Sequence, residues 1–133
     1  MPRSEQEVRA IRLAKEKWGV YAGCECTPED IPEGKGYELE CPHKHVEVKG
    51  TNAKSPGFRY LTRGEFDAAR TDPLFELWLV TDIGDEGVFH IVPREDVVSL
   101  CKIEIWWDLR LGKKRLVRFR EIAEERERRG GNA

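Results

Sequence analysis

The sequence predicts an α/β fold, and three observations carry that reading. Two Ser/Thr-x-x-Glu patterns, Ser4 with Glu7 and Thr62 with Glu65, mark helix starts ahead of apolar residues at helical spacing. Between and beyond them lie short β-rich runs bounded by Gly, Pro and Asp, the punctuation of strands. The pieces follow in the order helix, hairpin, helix, hairpin, strand, helix, with no internal repeat.

Taken in order, the first helix should begin near residue 5 and present Val8, Ile11 and Ala14 as its apolar stripe, flanked by Leu13 and Trp18, with Gly19 ending it. Residues 22–36, "AGCECTPEDIPEGKG", are rich in Gly, Pro and acids and predict a loop. Residues 36–51, "GYELECPHKHVEVKGT", predict a hairpin that reverses at Pro42-His43. "SPG" at 55–57 separates it from "FRYL", a short extended piece. The second capped helix should run about two turns through Arg70, stopped by Asp72-Pro73. "LFELWLVTDI" is the most strand-like segment, and beyond "GDEG" its hairpin partner is "VFHIVP", with His90 a strand residue rather than a ligand. "REDVVSL" predicts a short helical turn, "CKIEIWWDL" one further strand, and residues 114–129 a C-terminal helix.

The 133 residues suffice for one domain with a buried core, spanning 1–133 with residues 130–133 frayed. With 9% aromatics and periodic apolar runs, the 36% charged fraction does not make the chain disordered. No apolar stretch approaches the roughly 20 residues of a membrane span. "MPRSEQEVRA" lacks the apolar segment of a signal peptide, so a cytoplasmic protein with no membrane partner is expected. The net charge of −2 argues against a polyanion binder that uses its whole surface. Residues 110–120, "RLGKKRLVRFR", nevertheless contain no acid, and Lys113, Lys114, Arg115 and Arg118 are candidate nucleic-acid contacts. The alternative is a solvated face balanced by the following "EIAEERERR".

The hairpin concentrates the chemistry. With a reversal at Pro42-His43, Cys41 faces Lys44, Glu40 faces His45, Leu39 faces Val46, Glu38 faces Glu47 and Tyr37 faces Val48. One face then carries Tyr37, Leu39, Cys41, Val46 and Val48, the other Glu38, Glu40, His45, Glu47 and Lys49; a one-residue slip would mix the sets. Two acids directly opposed destabilise a sheet by up to ~1 kcal/mol, a conflict sequences keep where function needs it. A divalent cation between Glu38 and Glu47 would remove the repulsion, and Mg²⁺ suits a few carboxylate oxygens with other positions left for water and substrate. The ion would polarise a phosphoryl group and acidify its water, while Lys49 stabilised developing charge or oriented the attacking water. The alternative is an exposed acidic sheet face neutralised by Lys49. His45, beside Glu40, offers a metal ligand or proton carrier, or is a plain exposed hairpin residue.

Four segments, "GYEL", "HVEVKGT", "YLTRGEFDAAR" and "FELWLV", together resemble the NO VEIN C-terminal domain over about residues 4 to 95. That domain occurs in a plant protein and beside restriction and helicase modules in microbes, and is similar to the PD-(D/E)XK nuclease-like superfamily. "VEVKGT" and the Leu-Thr-x-x-Glu helix start are the most specific parts. The resemblance implies a restriction-endonuclease-like core, a mixed central sheet with flanking helices. It makes Glu38 the first sheet carboxylate, Glu47 and Lys49 the E-x-K pair, and Glu7, ahead of Glu5, the first-helix carboxylate. The implied activity is DNA endonuclease, with Mg²⁺ or Mn²⁺ on Glu38, Glu47 and Glu7. The rival is a nuclease-like module that binds nucleic acid or a partner protein without cutting. Glu38 stands where Asp is usual, and its longer side chain would shift the metal. Thr62 and Glu65 match the family's helix start and are read as caps. Cutting two strands with so small a domain makes a homodimer an option.

Four cysteines in a chain without a leader are expected to be reduced. Cys24-x-Cys26 with Cys41-x-His43 offers four tetrahedral zinc ligands that would staple the 22–36 loop to the hairpin tip, as in a small zinc-stapled interaction domain. Against it, Cys-x-Cys is tighter than most zinc pairs, and the register turns Cys41 toward the core. Cys101, in an apolar run, reads as core. Trp106 and Trp107 cannot both face one side of a strand: one stacks on a base or fills a dimer interface, or the strand is buried on both faces.

Overall fold

The computed structural model describes residues 4–31, 35–54, 60–103, 107–109 and 112–130. Helix α1 (Glu5–Glu16) starts as expected: Ser4 Oγ accepts the Glu7 N–H, and Glu5 and Glu7 sit at the positive end of its dipole. Gly19 does not end the helical region. The helix breaks at Lys17, restarts as α2 (Trp18–Ala22), and closes at Gly23, in the left-handed region at φ 71°. Burial is the reason, since the added turn inserts Trp18 and Tyr21 into the core.

After α2 come β1 (Glu29–Asp30), β2 (Leu39–Cys41), β3 (Lys44–Gly50), β4 (Tyr60–Leu61), α3 (Arg63–Thr71), β5 (Phe75–Thr81), β6 (Val88–Pro93), α4 (Arg94–Leu100), β7 (Cys101–Ile103), β8 (Trp107–Leu109) and α5 (Lys113–Gly130). The main sheet is mixed, in the order β1-β2-β3-β5-β6. Its β3–β5 pair is parallel and joined through α3; the other pairs are antiparallel. Helices flank both faces, an α/β fold. Ala10, Ile11, Leu13 and Ala14 of α1 pack with Val46, Val48, Trp78 and Val80 on one side. Ala68 and Ala69 of α3 and Val97 of α4 pack with Leu77, Leu79 and Val92 on the other. Every residue of β5 is buried, as a strand covered on both faces must be. Among the described residues, no helix is long and apolar enough to cross a membrane.

The single strand expected over 101–109 is a hairpin instead. Cys101 pairs with Leu109 and Ile103 with Trp107, and β4 completes a second, three-stranded sheet against β8. No Gly, Pro or Asn marks this reversal, so the alternating pattern reads as continuous. Trp106 lies outside the described residues, as do residues 131–133, whereas Gly130 still belongs to α5.

In the first hairpin Leu39 pairs with Val46, Glu40 with His45 and Cys41 with Lys44, the register the sequence predicts. Leu39, Cys41, Val46 and Val48 all enter the α1-side core. Tyr37 does not join them. Its ring stacks on His45 at 4.5 Å and its hydroxyl donates to Glu40 at 3.3 Å, so it stands on the polar face. The Glu38 N–H bonds Val46 O although Leu39 is the partner of Val46; a bend at Glu38 therefore shifts the alternation.

Candidate active site

β3 directs Glu47 and Lys49 away from α1, toward α3. Glu47 is only 4% exposed, and the neighbouring Glu38 carboxyl acts to raise its pKa. Lys49 Nζ lies 3.9 Å from Glu47 Oε2 and 3.2 Å from Glu65 Oε1. Glu65 is held by the capping box of α3: its N–H donates to Thr62 Oγ1 at 3.1 Å, and its Oε1 accepts the Thr62 N–H at 2.9 Å. The acid that fixes the helix start is thus also the closest acid to Lys49. In the sequence Glu65 is legible only as a cap.

Three carboxylates therefore surround one ammonium. Burial pushes the Glu47 carboxyl well above its ordinary value, the charges of Glu65 and Glu38 push it further, and Lys49 offsets this only in part. Burial pulls Lys49 down, but Glu65, Glu47 and Glu38 outweigh it and raise the ammonium, which stays charged. The cluster is short of positive charge.

His45 continues the same face. Its Nδ1 lies 2.5 Å from Asp72 Oδ2 and its Nε2 3.3 Å from Glu40 Oε2, with the ring flat against Tyr37. Asp72 also accepts the Leu74 N–H at 2.9 Å, so the residue that closes α3 orients this imidazole. Only its place in the Asp-Pro stop flagged Asp72 in the sequence.

The remaining predicted residues lie elsewhere. Glu7 and Glu5 are exposed on the first turn of α1, which crosses the end of β3 where Gln6 O and Ala10 leave no room for a side chain at Gly50. Because α1 covers the Val46–Val48 face, the sheet separates both acids from Glu47. Lys113, Lys114, Arg115 and Arg118 are exposed at the start of α5, whose first turn holds no acid, and Arg118 bonds Asp96 at 3.2 Å. Cations at the positive end of a helix dipole are unfavourable unless an anion answers them. His90 is a buried strand residue, as expected: its Nε2 lies 3.2 Å from Thr81 Oγ1, and burial with the Arg120 charge lowers it to about 4.

The cysteines form a second cluster. The sulfur atoms of Cys24, Cys26 and Cys41 lie within 4.8 Å of one another, close enough to hold a metal ion. Cys24 and Cys26 are joined as a disulfide, against the expectation of fully reduced cysteines. The His43 ring is not part of the cluster; that exposed residue instead donates its backbone N–H to Cys41 Sγ at 3.4 Å. The tight turn that makes this bond uses His43 as backbone. Cys101 is half-buried against the α3-side core.

A family model described as Protein NO VEIN, C-terminal, matches residues 4–92, from α1 into β6, with Glu38, Glu47, Lys49 and Glu65 inside the match. The chain belongs to this family. Comparison with curated proteins and with solved structures gave no match. The basic start of α5 lies beyond the matched residues.

Proposed function

We propose that residues 1–133 form one restriction-endonuclease-like domain of the PD-(D/E)XK type that hydrolyses DNA phosphodiesters with Mg²⁺ or Mn²⁺. The observation that supports this best is the buried Glu47, raised by the neighbouring Glu38 and 3.9 Å from Lys49, in a cluster with more acids than cations. Glu38 and Glu47 are the residues to hold the ion, and Glu7 would have to reach it round the end of β3. A bound ion supplies Lewis acidity toward the phosphate and a more acidic water. Lys49, kept protonated by its three acids, stabilises negative charge developing on the phosphate. Lys113, Lys114, Arg115 and Arg118 contact the DNA backbone, and a homodimer presents two sites to two strands.

One observation favours a second reading, a module that binds nucleic acid or a partner protein without cutting. Lys49 lies nearer Glu65, at 3.2 Å, than Glu47, at 3.9 Å, so the capping acid competes for the ammonium. A cleavage assay on plasmid DNA with titrated Mn²⁺ separates the two. The expected result is metal-dependent cleavage that falls on the order of 100-fold or more in Lys49→Ala. Equal background in both proteins, with DNA still bound, overturns the nuclease and leaves the binding module.

A further inference from the structure

The cysteine cluster is remote in role from the acid–lysine site, and its chemistry is that of a soft metal. Cys24 Sγ lies 3.2 Å from Cys41 Sγ, and all three sulfur atoms fall within 4.8 Å of one another. Zinc–sulfur bonds of about 2.3 Å in a tetrahedron set sulfur atoms about 3.8 Å apart, so once the Cys24–Cys26 bond opens the three need only small shifts to reach such a shell. They come from two places, the turn after α2 and the end of β2, and Cys41 is buried while Cys24 and Cys26 are half-buried.

A bond between Cys24 and Cys26 spans a sequence separation of 2, too short to restrict the unfolded chain appreciably. It also gives the third sulfur no task. An ion shared by all three ties this turn to the hairpin across a separation of 17 residues, in a stretch whose strand before β2, among the described residues, is the two-residue β1. Cys41 is prepared for that role. Its Sγ accepts the His43 N–H at 3.4 Å, and the adjoining Pro42 and His43 are exposed, leaving an approach to the cluster.

We infer that Cys24, Cys26 and Cys41, in their reduced form, are a tri-thiolate site for Zn²⁺ that staples the segment after α2 to the β2–β3 turn, its fourth position turned to the exposed tip. A dithiol reductant opens the Cys24–Cys26 bond with two electrons and two protons, and is itself oxidised to a disulfide. Zn²⁺ then displaces one proton from each of three thiols to the buffer. The site is independent of phosphodiester chemistry and stands or falls apart from it.

The test uses the full chain, reduced with a dithiol or phosphine and then freed of reductant under anaerobic conditions, titrated with Co²⁺ and then Zn²⁺. The expected result is a thiolate-to-cobalt charge-transfer band in the near ultraviolet, saturating at one ion per chain and lost when Zn²⁺ displaces it. Cys26→Ser, at a half-buried position, should weaken Co²⁺ binding on the order of 100-fold with the circular dichroism of the fold retained, and Cys41→Ser should do the same. Glu47→Gln should leave the band unchanged. Absence of the band in reduced wild-type protein overturns the proposal. So does Co²⁺ binding as tight in folded Cys26→Ser as in wild type.

Discussion

Glu47 and Glu76 sit on adjacent parallel strands of one sheet and are equally buried, each 4% exposed, but point to opposite faces. Around Glu76 the structure gathers Arg126, whose guanidinium donates at 2.6 and 2.8 Å, Lys44 at 3.1 Å and the Trp78 indole N–H at 3.0 Å. Burial alone would raise this carboxyl, and the bonds and charge of Arg126, with Lys44 and Trp78, lower it instead. Around Glu47 it gathers two more carboxyls and a single lysine, and the carboxyl rises. Glu76 is the structural solution: a buried charge enters the fold with its cations, and Arg126 fastens α5 across the core in doing so. Glu47 is the opposite case, a buried acid with more acids than cations around it, so that its carboxyl is pushed toward the neutral form. The contrast distinguishes a carboxylate that is fully answered by the fold from one that is not.

The sharpest way to break this contrast is to remove each acid. Glu76→Ala leaves Arg126 and Lys44 without their buried partner and should cost ~3–5 kcal/mol, a fall in melting temperature of about 15 °C. Glu47→Gln removes repulsion rather than attraction, so the melting temperature should stay level or rise. Equal losses by calorimetry would mean that both acids are structural.

The acid limb of stability separates the same groups. His90 is lowered to about 4 in the folded chain against ~6.5 unfolded, so the unfolded chain takes up its proton first as the pH falls. Its contribution is complete above pH ~6.5 and lost between there and about 4, by up to ~3 kcal/mol. Glu76, lowered in the fold, contributes above its unfolded value of ~4.3 and loses that only under more acid conditions. Denaturant melts across pH 3–8 should therefore flatten near pH 5 in His90→Gln and keep the steeper drop below it. An unchanged limb in that variant would remove His90 from the account.

Added cation probes Glu47 directly. Millimolar Mn²⁺ should stabilise the wild type, by ~2.7 kcal/mol at a hundredfold excess over its dissociation constant, and so raise its melting temperature, and should leave Glu47→Gln unmoved. A similar rise in both proteins would place the ion elsewhere.

These residues also show what a sequence discloses. The pairing of Leu39 with Val46 and of Cys41 with Lys44 was legible because any other register would put valines in water. The pairing of Glu38 with Glu47 lies beyond the register, which ends at Leu39 and Val46. Tyr37 was misplaced because the bend at Glu38 depends on one backbone bond, to Val46 O, that no residue type announces. Glu76 was illegible as a charged core: it is the one acid in an otherwise largely apolar strand, and Arg126 lies 50 residues away in a helix of mixed charges. Glu65 and Asp72 were legible only in their local roles, as cap and stop. Their second contacts, to Lys49 and His45, are made across the β3–α3–β5 crossover and have no local pattern. The strand expected over 101–109 failed for want of a turn residue at its reversal.

The smallest effects separate the two tasks of Glu65. Thr62→Ala removes the hydroxyl that accepts the Glu65 N–H, but the Glu65 carboxylate can still accept the backbone N–H of residue 62 and pair with Lys49. It should cost about 1 kcal/mol and leave the Mn²⁺ response intact. Glu65→Gln keeps a side-chain oxygen for that N–H, so the start of α3 should survive, while the negative charge beside Lys49 and Glu47 is gone. Its melting temperature should change little, but with one fewer acid to draw a cation its Mn²⁺ shift should shrink. If both variants alter the metal response equally, Glu65 acts through the helix start alone, and the acids that call for a cation reduce to Glu38 and Glu47.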